Sequence, residues 1–235
     1  MLKGPAVNGL TNLFLSIWNL LDNRTKKKDI LKDFSIYSYD FNKAFDLRES
    51  KISEGFVVPF GDEPFDGEEV GRNVFLGMIN RANKYIYITT PYLILDEELI
   101  CALRLASKSG VDVKIITPGT PDKKIVYQCT RSNYGPLLLD GVKIYEYQPG
   151  FNHEKMIVVD GIMAETGTFN FDFRSLYLHY ENGIFFYGVK EINEMTKDLE
   201  EMLKDSKAVE TNKYLNISKF KRIYWSILRI ISTLF

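Results

Sequence analysis

The 235-residue sequence is poor in the residues that build disulfide frameworks and metal centres. It has only two cysteines, Cys101 and Cys129, and both fall within apolar patterns typical of helices. We interpret them as small core residues of a protein in a reducing compartment. There are also only two histidines, and no group of Cys and His has the spacing of a zinc site. We therefore expect neither a metal site nor a cofactor.

The chain also lacks an excess of charge of either sign. Its 30 basic and 31 acidic residues give a formal net charge of −1, whereas dedicated nucleic-acid-binding domains usually carry a basic surface. We therefore expect no nucleic-acid partner. A chain of this length buries roughly 70% of its unfolded surface, so one substantial domain with an appendage is expected.

Long apolar runs that would cross a membrane are scarce as well. The uncharged run from Gly4 to Leu21 places asparagine and serine at helical spacing opposite leucine, isoleucine and phenylalanine. This pattern predicts an amphipathic helix against a core, and no small-residue cleavage site of a signal peptide follows it.

The middle of the sequence alternates between strand and helix patterns. Short β-branched and aromatic runs predict strands, and the amphipathic segments between them predict helices. The predicted strands are 56–60, 85–90, 111–116, 142–147 and 184–187, and the predicted helices are 70–83, 96–109, 122–139 and 191–203. This order predicts an α/β fold with a mixed, largely parallel sheet and helices on both faces. In the helical segment 122–139 we expect an interruption at Gly135-Pro136.

One stretch combines the residue types that suit phosphate chemistry. His153, Lys155 and Asp160 have the spacing His-x-Lys-x4-Asp, and an apolar run between Lys155 and Asp160 predicts a buried strand. Residues two apart on a strand point to the same face, so the imidazole and the ammonium are expected side by side. Asp160 is an odd number of residues from His153, which favours a structural or orienting role for its carboxylate.

A second set of polar residues follows this motif. Residues 161–167 predict a turn and a returning strand, which would bring Thr168 and Asn170 back beside His153 and Lys155. One base or nucleophile, one fixed cation and two neutral donors around a single point suit an anionic oxygen group, and phosphate is the natural candidate.

These motifs resemble the signature of the phospholipase D superfamily. The segments TTPYLILDEEL, GVDVKIITP, RSLYLHYENG and GPAVNGL further resemble the second catalytic half of bacterial cardiolipin synthases. The resemblance covers most of residues 4–205. It implies a phospholipase D-like catalytic domain over residues 56–208, preceded by a helix and a connecting segment over residues 1–55 and followed by a tail over residues 209–235.

The sequence departs from that family in one respect. The family carries two His-Lys-Asp motifs in one chain, and only the second is present here. We therefore expect a C-terminal half, which is a truncated product, a fragment, or a protomer that requires a partner.

The motif and the resemblance together assign roles to the site residues. His153 is the candidate nucleophile, which would form a phosphohistidine and so divide one displacement into two easier ones. Glu181 would hold the second ring nitrogen of that histidine and fix its tautomer. Lys155, Thr168 and Asn170 would bind the phosphoryl oxygens.

Weaker expectations concern the surroundings of these residues. Tyr92 and Arg131 are candidates for lining a headgroup site. Asp172 and Arg174 are expected to form an ion pair, and His179 is expected to be packed.

The resemblance implies a cardiolipin synthase-like phosphatidyltransferase that moves a phosphatidyl group between two phosphatidylglycerols. The implied partners are that phospholipid, a membrane surface, and a second His-Lys-Asp half or a second copy, with the protein peripheral on the cytoplasmic side of the cell membrane. Two alternatives stay open, a single-motif homodimeric phosphodiesterase or nuclease and a non-catalytic truncated remnant.

The tail from Tyr214 to Phe235 combines an apolar stripe, which runs from Phe220 to Leu234 at helical spacing, with exclusively positive charge. A helix from Ile217 to Phe235 would be about 28 Å long, but Arg229 in its apolar part makes spanning a membrane costly, at roughly 2.5–3.5 kcal/mol. The pattern favours either an interfacial helix on anionic lipid or a terminal helix docked on the domain core.

Overall fold

The structure is a computed structural model that describes residue 2 and residues 6–24, 55–64 and 66–231. The helices are α1 (Ala6–Arg24), α2 (Val70–Ile79), α3 (Glu97–Lys108), α4 (Lys124–Ser132), α5 (Tyr134–Leu139), α6 (Phe173–Tyr177), α7 (Ile192–Lys204), α8 (Thr211–Leu215) and α9 (Lys219–Ile231). The strands are β1 (Phe56–Asp62), β2 (Tyr85–Thr89), β3 (Leu93–Ile94), β4 (Asp112–Pro118), β5 (Lys143–Tyr147), β6 (Met156–Val159), β7 (Met163–Gly167), β8 (Phe171–Asp172), β9 (Glu181–Tyr187) and β10 (Ser206–Ala208).

Eight of these strands form one mixed sheet in the order β1-β9-β7-β6-β2-β4-β5-β10. The predicted α/β class is therefore confirmed, but the prediction of a largely parallel sheet is wrong. Only β2, β4 and β5 pair in parallel, and every other neighbouring pair is antiparallel. Parallel pairing needs a crossover of a dozen or more residues, usually a helix. Such helices connect β2, β4 and β5, whereas a tight turn at Asp160 and Gly161 joins the antiparallel strands β6 and β7.

Apolar side chains alternate between the two faces of the sheet, as the period of a strand requires. On β2, Ile86 and Ile88 pack in the larger core together with α2 and α3, whereas Tyr87 points to the opposite face. There it packs in a smaller core that includes Ile192 and Leu199 of α7. Helices therefore cover both faces, as predicted.

The amphipathic N-terminal helix is present as α1, which extends three residues further than predicted and packs on β1. Leu13 lies so close to Gly61 that a Cβ on this glycine would come within 2.8 Å of the leucine side chain. The connecting segment predicted after this helix lies mostly outside the described residues. The proposed domain limits at residues 55 and 208 stay predictions.

Two local expectations are corrected. The predicted helix over 122–139 is interrupted at Asn133, between α4 and α5, and Pro136 lies in the first turn of α5. Proline is tolerated there because the first amide groups of a helix have no intrahelical acceptor. In a continuous helix over 122–139, Pro136 would lie in the interior and would remove a hydrogen bond to the preceding turn. Cys129 is buried as predicted, but Cys101 is exposed on α3 because it faces away from the sheet.

Candidate active site

The predicted site residues other than Asp160 lie at one edge of the main sheet. The parallel strands β2, β4 and β5 end at this edge, β7 also ends there, and the antiparallel strands β6 and β9 begin there. The expected hairpin is present, since Met156 of β6 pairs with Thr166 of β7. Loops at the carboxyl ends of parallel strands are the usual place for ligands in α/β sheets.

The segment that carries the motif crosses this edge from β5 to β6. Asn152 within it is buried, and its Nδ2 donates a 2.6 Å hydrogen bond to Oγ1 of Thr89 at the end of β2. Its Oδ1 accepts from the backbone N–H of Glu154 at 3.0 Å. Asn152 thus fixes the loop before β6, so that His153 and Lys155 lie just outside the strand and not within it. Sequence reasoning missed this asparagine because its partner is 63 residues away.

His153 is exposed and accessible to a ligand. Its ring lies 5.6 Å from that of Phe151, measured between centroids. Partial burial and the positive charge of Lys155 lower the pKa of the imidazole, and the carboxylate of Asp122 opposes this shift. The neutral imidazole, which is the form that can act as a nucleophile or base, is therefore favoured at neutral pH.

Lys155 is half-buried, and its Nζ donates to the backbone oxygen of His153 at 2.6 Å. Burial lowers the pKa of this amine, while the nearby carboxylates of Glu181 and Asp172 raise it. No ion pair with Lys155 occurs within the described part of the chain. The ammonium retains two of its three donors for an anionic ligand.

The two predicted neutral donors are both held by neighbouring groups. The Thr168 hydroxyl accepts from the backbone N–H of Asn182 at 2.9 Å and lies 3.3 Å from the oxygen of the same residue. The backbone N–H of Asn170 donates to Oγ of Ser175 at 2.9 Å, and the Asn170 side chain forms a hydrogen bond with Asp172. Oδ1 of Asn170 is buried with no hydrogen-bond partner among the described residues. The side chain of Asn170 is thus already hydrogen-bonded to Asp172. Its assignment as a phosphate donor stays a prediction.

Glu181 is buried at the first position of β9 and does not contact His153 among the described contacts. Its Oε1 accepts from Oγ of Ser175 at 2.7 Å and lies 3.4 Å from Nδ1 of His179. The expected hydrogen bond from Glu181 to His153 is therefore not present in this structure. His179 is also not packed as predicted, since its side chain is 41% exposed. His179 and Glu181 lie close together because only one residue separates them in the short segment from α6 to β9.

Asp160 lies at the opposite edge of the sheet. From Lys155 it is five residues along β6, or roughly 16 Å. Its carboxylate accepts from the backbone N–H groups of Asn83, Lys84 and Tyr85 at 2.7–2.8 Å. Burial alone would raise its pKa, but these hydrogen bonds outweigh it and lower the pKa. The geometry agrees with the structural role that its spacing indicated.

Asp172 is a buried group that sequence reasoning assigned incorrectly. It does not pair with Arg174, which is exposed; it caps α6 instead by accepting from the backbone N–H of Ser175 at 2.8 Å. An aspartate three residues before the capped amide is the N-cap signature that would have identified it. Burial raises the pKa of this carboxyl, partly offset by its hydrogen bonds from Ser175 and Asn170.

Of the two residues predicted to line a headgroup site, Tyr92 lies near the site residues and Arg131 does not. Its hydroxyl donates to Oδ2 of Asp122 at 2.5 Å, and burial together with the charges of Asp122 and Asp172 raises its pKa. Arg131 is engaged elsewhere, in a 3.2 Å ion pair with Glu146. The loop after β4 therefore adds Asp122, which the sequence did not single out, to the edge that carries His153.

An exposed imidazole beside a half-buried ammonium, where the parallel strands of a mixed, helix-covered sheet end, is the arrangement of a phospholipase D-like domain. The chain belongs to the family described as cardiolipin synthase, PLD-like domain, whose family model matches residues 75–203. The resemblance inferred from the motifs is thereby confirmed.

Individual relatives agree with this assignment. The chain is 35% identical over 232 residues to a cardiolipin synthase of Halalkalibacterium halodurans, which covers 99% of this chain but only 44% of the relative. Its fold is similar to that of a phosphatidylserine synthase from Haemophilus influenzae, with a TM-score of 0.61, 17% identity, and coverage of 79% of this chain and 47% of that one. It is also similar to Nuc of Salmonella typhimurium, a phospholipase D family member, with a TM-score of 0.57, 21% identity, and coverage of 67% and 99%. The chain thus spans less than half of the length of the cardiolipin synthase that it matches.

Residues 6–24, 55–64 and 66–231 include no helix that is both long and apolar enough to cross a membrane.

Proposed function

We propose that this chain carries one half of the active site of a phosphatidyltransferase of the cardiolipin synthase type. The observation that carries the proposal is the exposed His153, with its lowered pKa, beside the half-buried ammonium of Lys155. Family membership supports phosphatidyl transfer, and we propose phosphatidylglycerol as the donor of the phosphatidyl group.

In the first step, the neutral His153 attacks the phosphorus atom of phosphatidylglycerol. The P–N bond forms as the P–O bond to the glycerol headgroup breaks, and the departing glycerol oxygen takes up a proton. In the second step, a hydroxyl of a second phosphatidylglycerol loses its proton and attacks the phosphorus atom, and the P–N bond breaks. The ammonium of Lys155 stabilises the negative charge that develops on the phosphoryl oxygens in both steps.

The proton for the leaving glycerol oxygen must come from an acid, whose contribution is typically ~10²–10⁴ in rate. His153 is occupied as the nucleophile, and His179 is paired with Glu181. We assign the acid to a second His-Lys-Asp unit, either a partner half or a second copy of this chain. The reaction takes place at a membrane surface, which we assign to the cytoplasmic side of the cell membrane.

The nucleophile can be tested separately from the missing acid with phosphatidyl-p-nitrophenol. Because p-nitrophenolate leaves without protonation, His153 alone should become covalently labelled. We expect an acid-labile phosphatidyl group on His153, located by mass spectrometry, in the wild type and in His179→Ala. In His153→Ala the label should be absent.

A label on His179, or no label on either histidine, would contradict the proposed nucleophile. The same preparations should be offered single-stranded and double-stranded DNA. Hydrolysis of DNA without transfer from either phosphatidyl substrate would favour a nuclease and overturn both the proposal and the expectation of no nucleic-acid partner.

A further inference from the structure

Helix α9 packs on the domain through one side only. Trp225 and Leu228 are buried against the domain, where α9 lies along α4. Nε1 of Trp225 donates a 3.0 Å hydrogen bond to Oε1 of Gln128, and its ring stacks on Tyr214 with 5.0 Å between centroids. The prediction that the terminal helix docks on the domain core is thus confirmed. The face that carries Trp225 and Leu228 sets the orientation of α9.

The opposite side of α9 is apolar and exposed. At 100° per residue, its apolar side chains cover an arc of about 120° that is turned away from Trp225 and Leu228. We call this surface the α9 stripe; its exposed members are Phe220, Ile223, Tyr224, Ile227 and Ile230. A contiguous apolar surface of this kind marks an interaction site more often than single exposed apolar residues do.

All charges on α9 are positive. Lys219, Lys221, Arg222 and Arg229 are present, and the helix contains no acidic residue. Arg222 and Arg229 also line a cleft of about 540 Å³ between α9 and α5, together with the apolar side chain of Leu139. At 100° per residue, Lys219 is the basic residue directly beside the stripe, whereas the two arginines lie on the side of α9 that faces the cleft.

We propose that the α9 stripe is a docking surface for an anionic lipid bilayer. Its apolar side chains would enter the interface, Lys219 beside them would contact lipid phosphates, and the positive charge of the whole helix would attract an anionic surface. A helix of 13 residues is about 20 Å long, shorter than the hydrocarbon core, so α9 lies along the interface and does not cross it. A second copy is a poorer occupant, because two α9 helices packed through their stripes would bring their basic residues together.

This inference depends on α9 alone and is independent of the proposed chemistry. It can be tested by sedimentation of the full chain with phosphatidylglycerol vesicles and with phosphatidylcholine vesicles. Ile223→Asp should weaken binding to phosphatidylglycerol about tenfold or more. The matched control is Leu105→Asp on α3, because Leu105 and Ile223 are both 61% exposed. The control introduces the same charge and should bind within about twofold of the wild type.

A second pair of variants tests the charge. Lys219→Gln should reduce binding to phosphatidylglycerol several-fold, roughly as expected for one basic residue near an anionic leaflet. Lys197→Gln, at an exposed position on α7, removes the same charge and should leave binding nearly unchanged. Wild-type binding to phosphatidylcholine should be weak.

Equal binding of the wild type and Ile223→Asp, or equal binding to both lipids, would overturn the proposal. If another segment of the chain covered the stripe, Ile223→Asp would lower the melting temperature much more than Leu105→Asp without changing vesicle binding. If a second copy occupied it, Ile223→Asp would convert dimers to monomers with vesicle binding intact. His153→Ala should bind like the wild type, so a failure of the catalytic proposal is distinguishable from a failure of this one.

Discussion

At the scale of single residues, Glu165 is a deeply buried acid that takes no part in the proposed chemistry. It lies on β7, 1% exposed, with Oε1 lacking a hydrogen-bond partner among the described residues. It packs against Gly183, whose added Cβ would come within 2.5 Å of Oε1. Burial raises the pKa of Glu165 well above its usual value. The folded protein therefore favours the neutral carboxylic acid.

This residue predicts a pH-dependent loss of stability. For an acid whose pKa is raised in the folded state, stability is highest below the unfolded pKa, near 4.3, and falls as pH rises toward the folded value. Glu165→Gln removes this loss, so we expect a gain of about 1–3 kcal/mol over the wild type near pH 8 and little difference near pH 5. Urea unfolding across this range measures the effect. Glu194→Gln, at an exposed position on α7, is the control, and parallel profiles for Glu165→Gln and the wild type would contradict the prediction.

A second prediction concerns the charges around His153. Its pKa is lowered by partial burial and by Lys155, and raised by Asp122. Lys155→Met should therefore raise the pKa of His153, and Asp122→Asn should lower it further. NMR titration of the imidazole C–H signals measures both, since the chain has only two histidines.

The spectrum of His179→Asn assigns the two signals. Shifts in the same direction for the two charge variants would contradict the electrostatic account of the site. Because the folded pKa is depressed, the neutral nucleophile is available down to a lower pH than for an ordinary histidine, and any phosphatidyl transfer should lose rate only as pH falls through that lowered value.

At the scale of elements, the β6–β7 hairpin is fixed to the start of β2 by a turn. Asp160 and Gly161 both have positive φ, 55° and 68°, as the turn requires. Aspartate tolerates this conformation better than most residues, and its carboxylate satisfies the backbone N–H groups of Asn83, Lys84 and Tyr85. The turn after β6 is thereby anchored to the start of β2, and the opposite end of β6 follows directly after His153 and Lys155.

We therefore predict that Asp160→Ala acts on stability and not on the chemistry of the site. Loss of three hydrogen bonds to a charged group, with alanine forced to positive φ, should destabilise the fold by about 3–5 kcal/mol. Asp160→Asn tolerates the same φ and keeps one acceptor, so its loss should be smaller. Thermal unfolding measures this order. An unchanged melting temperature with a shifted His153 pKa would instead assign Asp160 to the site.

At the scale of the whole molecule, the chain contains one His-Lys-Asp motif, whereas the proposed chemistry needs two acid–base groups. On phosphatidylglycerol, the wild-type chain at low concentration should be nearly inactive, because the leaving glycerol oxygen is not protonated. If a second copy supplies the acid, activity per molecule should rise with protein concentration.

Adding His153→Ala to the wild type separates the two sources of that acid. With a second copy, the variant should reduce activity by more than dilution does, because mixed dimers lack one histidine. If a different half supplies the acid, the chain should be inactive at every concentration until that half is added. Activity on phosphatidylglycerol that does not change with dilution would contradict the incomplete site.

The sequence by itself determined most of the helices and strands and the family, and it predicted a phosphate ligand. Periodicity located the helices and strands of the α/β fold, since each pattern reflects local geometry. The spacing of His153 and Lys155 predicted both on one strand, and they lie in the segment directly before β6; the predicted hairpin that follows is present. The odd spacing of Asp160 from His153 favoured a structural role for its carboxylate, and its three backbone hydrogen bonds agree with that role.

Only the tertiary structure decided how strands from distant parts of the chain pair and which groups meet at the edge. Neighbours in the sheet are set by connection lengths and packing, so the mostly antiparallel order could not be read from periodicity. Glu181 meets Ser175 and His179, and Asn152 meets Thr89 across 63 residues. Such contacts depend on which chain segments the sheet brings together, and local sequence patterns contain no information on that.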